Sequence, residues 1–310
     1  MLSVFLGWRY LACVHDVSVA LHHVCMPQPL RVAFQGEIGA YSEEAALALF
    51  PNAQLVPCPS FRAVFDAVTN GTADRAAVPI ENSLFGSVHI NYDLLREFNL
   101  VITGELNLRI RHHLMVLPGV QPADVRRVIS HPQALGQCDE YVRSHFPKAA
   151  IEPVYDTAGA AKMVAHEGWR DTAAIASVRA AAEYQLDVLA ASIETNQQNY
   201  TRFLSLVRRA EAEAIQPTAE TPQKTSIVYA MRANVPGALF KSLAVFALRD
   251  LDLFKIESRP RIGSPGSYLF YLDLAGSTAD EPVQRALDHL GEITASLKVL
   301  GSYEHGQTVG

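Results

Sequence analysis

At 310 residues the chain is long enough for two or three domains and a large buried core, and 49% hydrophobic against 19% charged residues marks it as folded rather than disordered. A formal net charge of -6 argues against the basic stripe of a general nucleic-acid or membrane-surface binder. The four cysteines, Cys13, Cys25, Cys58 and Cys138, form no C-x-x-C and no Cys/His grouping with zinc spacing. No metal site is therefore expected, and few scattered thiols fit a reducing cytoplasm.

Residues 1–30 are apolar but interrupted by Arg9, His15, Asp16 and His22-His23. No run reaches the ~20 apolar residues of a membrane span, and no clean signal peptide is present. A cleaner protein begins at Met26, just before a good strand. Residues 1–30 are expected to be an N-terminal extension, with 1–25 dispensable or a misplaced start.

From there strands and helices alternate. Arg31–Gln35 reads as a buried strand, followed by the loop Gly36-Glu37-Ile38-Gly39 and a helix to Phe50 with Ser42 as its N-cap. Ser60 caps Phe61–Thr69, whose Phe61, Val64, Phe65 and Val68 recur at helical spacing. Ala76–Ile80 is a strand, Asp93–Phe98 helical and Val101–Leu108 extended. His113–Leu117 and Val125–Ile129 are further strands. A helix Pro132–Phe146 carries Leu135, Cys138 and Val142 on one face, so Cys138 is expected in the core. Strand Ile151–Tyr155, helix Ala158–His166, strand Ala173–Ala176 and helix Val178–Tyr184 follow. This alternation predicts an α/β sheet whose ligand lies at strand C-terminal ends.

Glu211–Gln223, with Pro217 and Pro222 and little apolar content, reads as the main boundary. Beyond it Thr225–Ala230 is a strand and Leu239, Leu243 and Phe246 stripe a helix after Pro236-Gly237. Lys255–Ser258 and Tyr268–Leu274 are extended. Val283, Leu287, Leu290, Thr294 and Leu297 stripe a second helix, and Val299–Tyr303 closes the unit. The order βαββαβ is ferredoxin-like, which says nothing of function by itself.

Several helix starts follow a strand directly: Tyr41-Ser42, Ser130-His131 and Asp156-Thr157. Such ends suit anions, although ordinary capping explains any one of them. Gly36-x-x-Gly39 is neither a P-loop nor a dinucleotide fingerprint, so no nucleotide is expected. Glu81-Asn82-Ser83 ends an apolar strand, as either a local turn or a polar lining. Gln133 and Gln137 share a helix face, and a lone His131 beside a cap is more often structural than a general acid. Asn199-Tyr200-Thr201-Arg202-Phe203 crowds an amide, a phenol, a hydroxyl and a guanidinium into one strand start. Arg202 is there either a salt-bridge partner or a carboxylate clamp, since its fork matches a carboxylate.

Taken in order, Gly36–Ser42, Val78–Ser83, Ser130–Cys138, Asp156–Ala158, Asn199–Phe203 and Ile256–Pro260 resemble the prephenate dehydratase family with a C-terminal ACT regulatory domain, over residues 31–304. The resemblance implies a bilobal, periplasmic-binding-protein-like catalytic domain over 31–210. Its two α/β lobes would be about 31–105 plus 190–210, and 106–189. A linker at 211–223 and a ferredoxin-like βαββαβ ACT domain at 224–305 would follow. It implies decarboxylating dehydration of prephenate to phenylpyruvate on the route to phenylalanine, with no cofactor, and feedback by phenylalanine. The family's catalytic positions carry to Thr201, Asn82 and Gln137. Its substrate-lining positions carry to Ser42, Glu81, Ser83, Ser130, Thr157, Arg202 and Phe203. Effector positions carry to Gly237, Ala238 and Leu239, and to Glu257, Ser258, Arg259 and Pro260. A cytoplasmic homodimer or homotetramer is implied, without nucleic acid or membrane partners. So few residues before the catalytic domain imply a monofunctional enzyme.

Two departures stand out: Glu37 and Ala40 in the first loop, and Phe254, whose bulk is expected to alter the effector pocket. Arogenate dehydratase, on the same scaffold, is a second reading. A non-catalytic amino-acid-binding sensor is a third.

Overall fold

The computed structural model describes residues 29–213, 215, 221–261 and 263–310. The expected N-terminal extension, Cys13, Cys25 and part of the 211–223 connector lie outside them.

The chain opens with β1 (Arg31–Gln35), α1 (Tyr41–Leu49), β2 (Gln54–Cys58), α2 (Phe61–Thr69), β3 (Arg75–Asn82), β4 (Gly86–Ser87), α3 (His89–Glu97) and β5 (Leu100–Arg109). It crosses to β6 (His113–Val116), β7 (Arg127–Ser130), α4 (Pro132–Gln137), α5 (Asp139–His145), β8 (Ala150–Pro153), α6 (Thr157–Glu167), β9 (Thr172–Ala176), α7 (Val178–Glu183) and β10 (Asp187–Ala190). It returns through β11 (Tyr200–Arg208) and α8 (Arg209–Ala212). The last part holds β12 (Gln223–Met231), α9 (Ala238–Ala247), β13 (Leu253–Pro260), β14 (Tyr268–Ala275), α10 (Glu281–Ile293), β15 (Thr294–Glu304) and β16 (Gln307–Val309).

These strands form three sheets. The first lobe holds a 7-stranded sheet in the order β16-β5-β11-β3-β1-β2, with β4 beside β3. The second lobe holds a 5-stranded sheet, β10-β6-β9-β7-β8. Both chain crossings, at 110–112 and 191–199, run between the lobes. The central strands β3 and β11 carry unbroken buried runs, Ala76–Ile80 and Phe203–Val207, because both faces of the sheet are covered. The lobes meet where Gly39 approaches Ala180: a Cβ on Gly39 would lie 2.7 Å from the Ala180 Cα, and the residue sits at φ +90. Only glycine fits there.

The third sheet is 4-stranded in the order β13-β14-β12-β15, with the ferredoxin-like βαββαβ sequence of elements. One face packs on α9 and α10 through Ile227, Tyr229, Phe246, Leu272 and Leu290. The other face joins the core of the first lobe: Val228, Tyr271, Leu300 and Tyr303 cluster with Ile80, Tyr92, Ile102 and Leu204. A side chain at Gly301 would meet the Ile102 carbonyl oxygen, so the absence of a Cβ lets the two sheets close up. Past this unit, β16 pairs parallel with β5, Gln307 opposite Leu106 and Val309 opposite Leu108. The expected end of the unit at 305 thus leaves out a strand that belongs to the first sheet.

Several expected boundaries move. The N-cap of α1 is Ala40, and Ser42 lies inside the first turn without capping. Ser60 does cap α2, its Oγ accepting from the Ala63 N–H at 3.2 Å. The predicted helix Pro132–Phe146 breaks at Cys138, because the Gln137 carbonyl accepts the Thr195 N–H of the returning segment. Cys138 is buried with Leu135 and Val142 as their stripe predicted. Helix α10 ends at Ile293, so Thr294 and Leu297 lie on β15. Strand β5 stays in the first sheet to Arg109, past the lobe boundary expected at 105.

Candidate active site

Alternation along β11 decides what reaches the space between the lobes. Thr201 and Phe203 face a cleft of about 460 Å³, while Arg202 faces away. Opposite them β3 shifts register between Glu81 and Pro79, a bulge of the kind found beside active sites. It leaves Asn82 beside Thr201 and Pro79 beside Phe203, all lining the cleft.

A hydrogen-bonded chain runs across the cleft floor. Asn82 Nδ2 donates to Thr201 Oγ1 at 3.0 Å and to Asn199 Oδ1 at 2.8 Å. The Asn82 Oδ1 accepts the N–H groups of Leu84 and Phe85, which fixes the amide's orientation. Asn199 Nδ2 donates to Gln137 Oε1 at 2.9 Å, and His112 Nε2 bonds the same oxygen. His112 Nδ1 meets the Tyr41 hydroxyl at 2.9 Å. Burial pushes the His112 pKa down, so the ring is neutral near pH 7. A neutral ring that donates from Nε2 to Gln137 leaves Nδ1 as an acceptor, where it shares the one Tyr41 proton with the Arg111 carbonyl, 2.7 Å from that hydroxyl. Thr201, accepting from Asn82, keeps its own proton to give to a ligand. Among the described residues the Gln137 amide nitrogen has no protein partner and is likewise a donor in reserve.

The three helix starts noted in the sequence converge here. Tyr41 and Ser42 open α1, Gln133 lies in the first turn of α4 with His131 as its N-cap, and Asp156 caps α6 ahead of Thr157; all line the cleft. Their free N–H groups and dipoles favour carboxylates. No lysine or arginine lines the cleft among the described residues.

Thr201, Asn82, Gln137, Ser42, Thr157 and Phe203 are thus brought together. Four other expected lining residues are not. Glu81 follows the strand alternation to the opposite face and pairs with Lys255 at 2.9 Å. Ser83 ties the turn to β11, donating to the Gln198 carbonyl at 2.9 Å and accepting from the Tyr200 N–H. Ser130 is fully buried and donates to the Ile175 carbonyl at 2.6 Å. Arg202 is no carboxylate clamp in the cleft. Its Nε donates to Glu105 and its Nη1 to Asp273, each at 2.6 Å, and its Nη2 to the Tyr303 hydroxyl at 3.0 Å. Burial works against the guanidinium charge, but Asp273, Tyr303 and Glu105 outweigh it and Arg202 stays ionised. Sequence reasoning missed His112 altogether, and noted Tyr41, Asp156 and Asn199 only as parts of their segments without giving them site roles. The available signal was position: His112 sits in the first lobe crossing and Asn199 in the return.

A second hollow of about 340 Å³ lies in the ferredoxin-like unit, lined by Gly237, Ala238 and Leu239 with Asn234, Tyr268 and Phe270. The β13 residues expected with them do not line it. Glu257 accepts from the Ser87 hydroxyl at 2.7 Å and Arg259 pairs with Asp93 at 3.3 Å, both on the first lobe. Ser258 and Pro260 alternate to the exposed side of the edge strand. Phe254 stays outside the hollow, under the Lys224 ammonium and against His305.

A family model described as prephenate dehydratase matches residues 32–211. The chloroplastic arogenate dehydratase/prephenate dehydratase 2 of Arabidopsis thaliana is 49% identical over 285 residues, covering 88% of this chain and 72% of that one. Among solved structures, the prephenate dehydratase of Arthrobacter aurescens in complex with L-Phe is 33% identical with a TM-score of 0.82, over 89% of this chain and 90% of that one. GqqA, described as a quorum-quenching acylase, is 34% identical with a TM-score of 0.81, over 88% and 97%.

Proposed function

We propose, because this chain belongs to the prephenate dehydratase family, that its cleft takes carbon dioxide and water from a cyclohexadienol dicarboxylate with Thr201 meeting the departing hydroxyl. The family membership makes it a dehydratase of phenylalanine biosynthesis. The observation that carries the residue assignment is the bond from Asn82 Nδ2 to Thr201 Oγ1, which turns the threonine proton toward the cleft.

Prephenate becomes aromatic on losing its ring carboxylate, so most of the driving force is in the substrate. The C–CO2 bond breaks, its electron pair moves through the ring, and the C–O bond to the hydroxyl breaks as the ring closes its π system. The protein must hold the carboxylates and stabilise negative charge on the leaving oxygen. Thr201 donates to that oxygen. Gln137 and the N–H groups at the starts of α1 and α6 orient the carboxylates, and Phe203 and Pro79 line the cleft beside the ring. A threonine hydroxyl is a poor acid, so it stabilises and positions; solvent completes the water that leaves.

The second substrate reading, arogenate, is favoured by relatives named arogenate dehydratase. For regulation, we propose that phenylalanine binds in the hollow at Gly237–Leu239. The reading draws support from the L-Phe complex of the Arthrobacter aurescens relative. We take 31–210 as the catalytic unit and the ferredoxin-like unit as an ACT domain. Val235, Leu239, Phe240 and Tyr268 are exposed around the hollow, which suits coverage by a second copy in a homo-oligomer. Among the described residues no helix is long and apolar enough to cross a membrane. The test is phenylpyruvate formation from prephenate and phenylalanine formation from arogenate, with and without added phenylalanine. Turnover of neither substrate would overturn the reading.

A further inference from the structure

We infer that Asp156 selects the aminated substrate, its carboxylate holding the ammonium group of arogenate, so that arogenate is preferred over prephenate. The inference rests on the dehydratase reading and names the substrate within it.

The two candidate substrates differ at one group. Prephenate carries two carboxylates and a ketone; arogenate carries the same carboxylates and an ammonium in place of the ketone. The cleft offers uncharged donors for carboxylates, from helix starts, Ser42, Thr157 and Gln137. It offers no lysine or arginine among the described residues. It does present one carboxylate. Asp156 is half-buried in the wall and makes no ion pair among the described residues. Its neighbour across the loop, Glu37, is by contrast engaged by Lys162 at 2.9 Å and the Tyr155 hydroxyl at 3.1 Å.

The fold uses the Asp156 carboxylate through backbone N–H groups alone, those of Gly159 and Ala158. Oδ1 accepts the Gly159 N–H at 2.9 Å as the cap of α6. Oδ2 lies close to Gly36, where a Cβ would stand 3.3 Å away, and the side chain lines the cleft. Burial raises the Asp156 pKa, with Glu37 adding to the rise and His131 and the α6 N–H groups opposing it. A carboxylate desolvated without a cation is an incomplete ion pair. An incoming ammonium completes it. A 2-oxo acid offers a neutral ketone there and leaves it unpaired, and a site built for a partner group rejects the analogue that lacks it.

Capping alone is the competing explanation, and it can be separated. Asp156→Asn and Asp156→Ser both keep a capping acceptor, so α6 retains its start while the charge is lost. The measurement is kcat/KM for arogenate and for prephenate in the wild type and both variants, with thermal melts to verify folding. The expected result is a wild type that prefers arogenate. In both variants the arogenate-to-prephenate ratio should fall by about 10- to 100-fold. An unchanged ratio, or equal loss on both substrates, would overturn the inference and leave Asp156 as a cap. A wild type that prefers prephenate would also overturn it, with the dehydratase reading intact. Turnover of neither substrate would remove both.

Discussion

Arg202 and Asp273 meet at 2.6 Å where the first lobe joins the C-terminal unit. Arg202 follows Thr201 in β11, so one residue serves the cleft and the next serves the junction. Around Arg202, Glu105 also takes Lys224 at 2.7 Å, and Asp273 takes the Ser226 hydroxyl at 2.5 Å. The network is nearly dry and nearly fully paired. Removing the guanidinium leaves two buried carboxylates short of a partner. Arg202→Met is expected to lose about 3–5 kcal/mol in denaturant unfolding. A loss below about 1 kcal/mol, the range of a surface pair, would contradict the role given to it.

The C-terminal unit touches the cleft rim at a second point. Lys255 Nζ reaches the Ser87 hydroxyl at 3.2 Å and Glu81 at 2.9 Å, and Ser87 lines the cleft. This contact offers a direct route for regulation from the C-terminal unit to the cleft rim. Lys255→Met is expected to weaken the response of turnover to added phenylalanine, read as a shift of its half-effective concentration by about tenfold or less. An unchanged response in a folded variant would rule this contact out as the route.

His112 Nε2 and Asn199 Nδ2 both bond the Gln137 amide oxygen, which leaves the amide nitrogen to face the cleft. His112→Phe removes the Nε2 donor and the Tyr41 contact together. We expect kcat to fall by about tenfold, the worth of one hydrogen bond, while His112→Gln, which keeps a donor, recovers part of the loss. Equal kcat in all three proteins would show that Gln137 needs no such support.

Acid should loosen the junction. Burial alone would raise the Glu105 pKa, but Arg202, Lys224 and the Gly306 N–H hold it below the ordinary carboxylate range. A depressed carboxylate contributes stability above its unfolded pKa, and that stability is lost as pH falls through the folded value. The window therefore opens below about pH 4.3. Unfolding free energy measured against pH should drop there, and the gap between wild type and Glu105→Gln should narrow. A gap independent of pH across that window would contradict the assignment.

How much of this could be read from the sequence depends on where each partner lies. The β3 and β11 runs, the Ser60 cap, the Cys138 stripe and the βαββαβ order rest on local spacing and were legible. Local period also says that Thr201 and Arg202 face opposite ways, but not which one faces a ligand. That choice is made by Glu105 and Asp273, 97 and 71 residues from Arg202 in sequence. The same holds for Glu81, whose partner Lys255 lies on another sheet. The break at Cys138 was hidden because its cause, the Thr195 N–H, arrives with the returning chain. The three helix starts were each visible, whereas their convergence required both lobes.

The central claim is that Thr201 meets the leaving hydroxyl, and steady-state turnover of Thr201→Ala on prephenate and arogenate tests it most directly. The Thr201→Ala kcat should be about 100- to 1000-fold lower, the cost of deleting one preorganised donor, with KM little changed and Thr201→Ser largely active. A Thr201→Ala protein that turns over near the wild-type rate would contradict it.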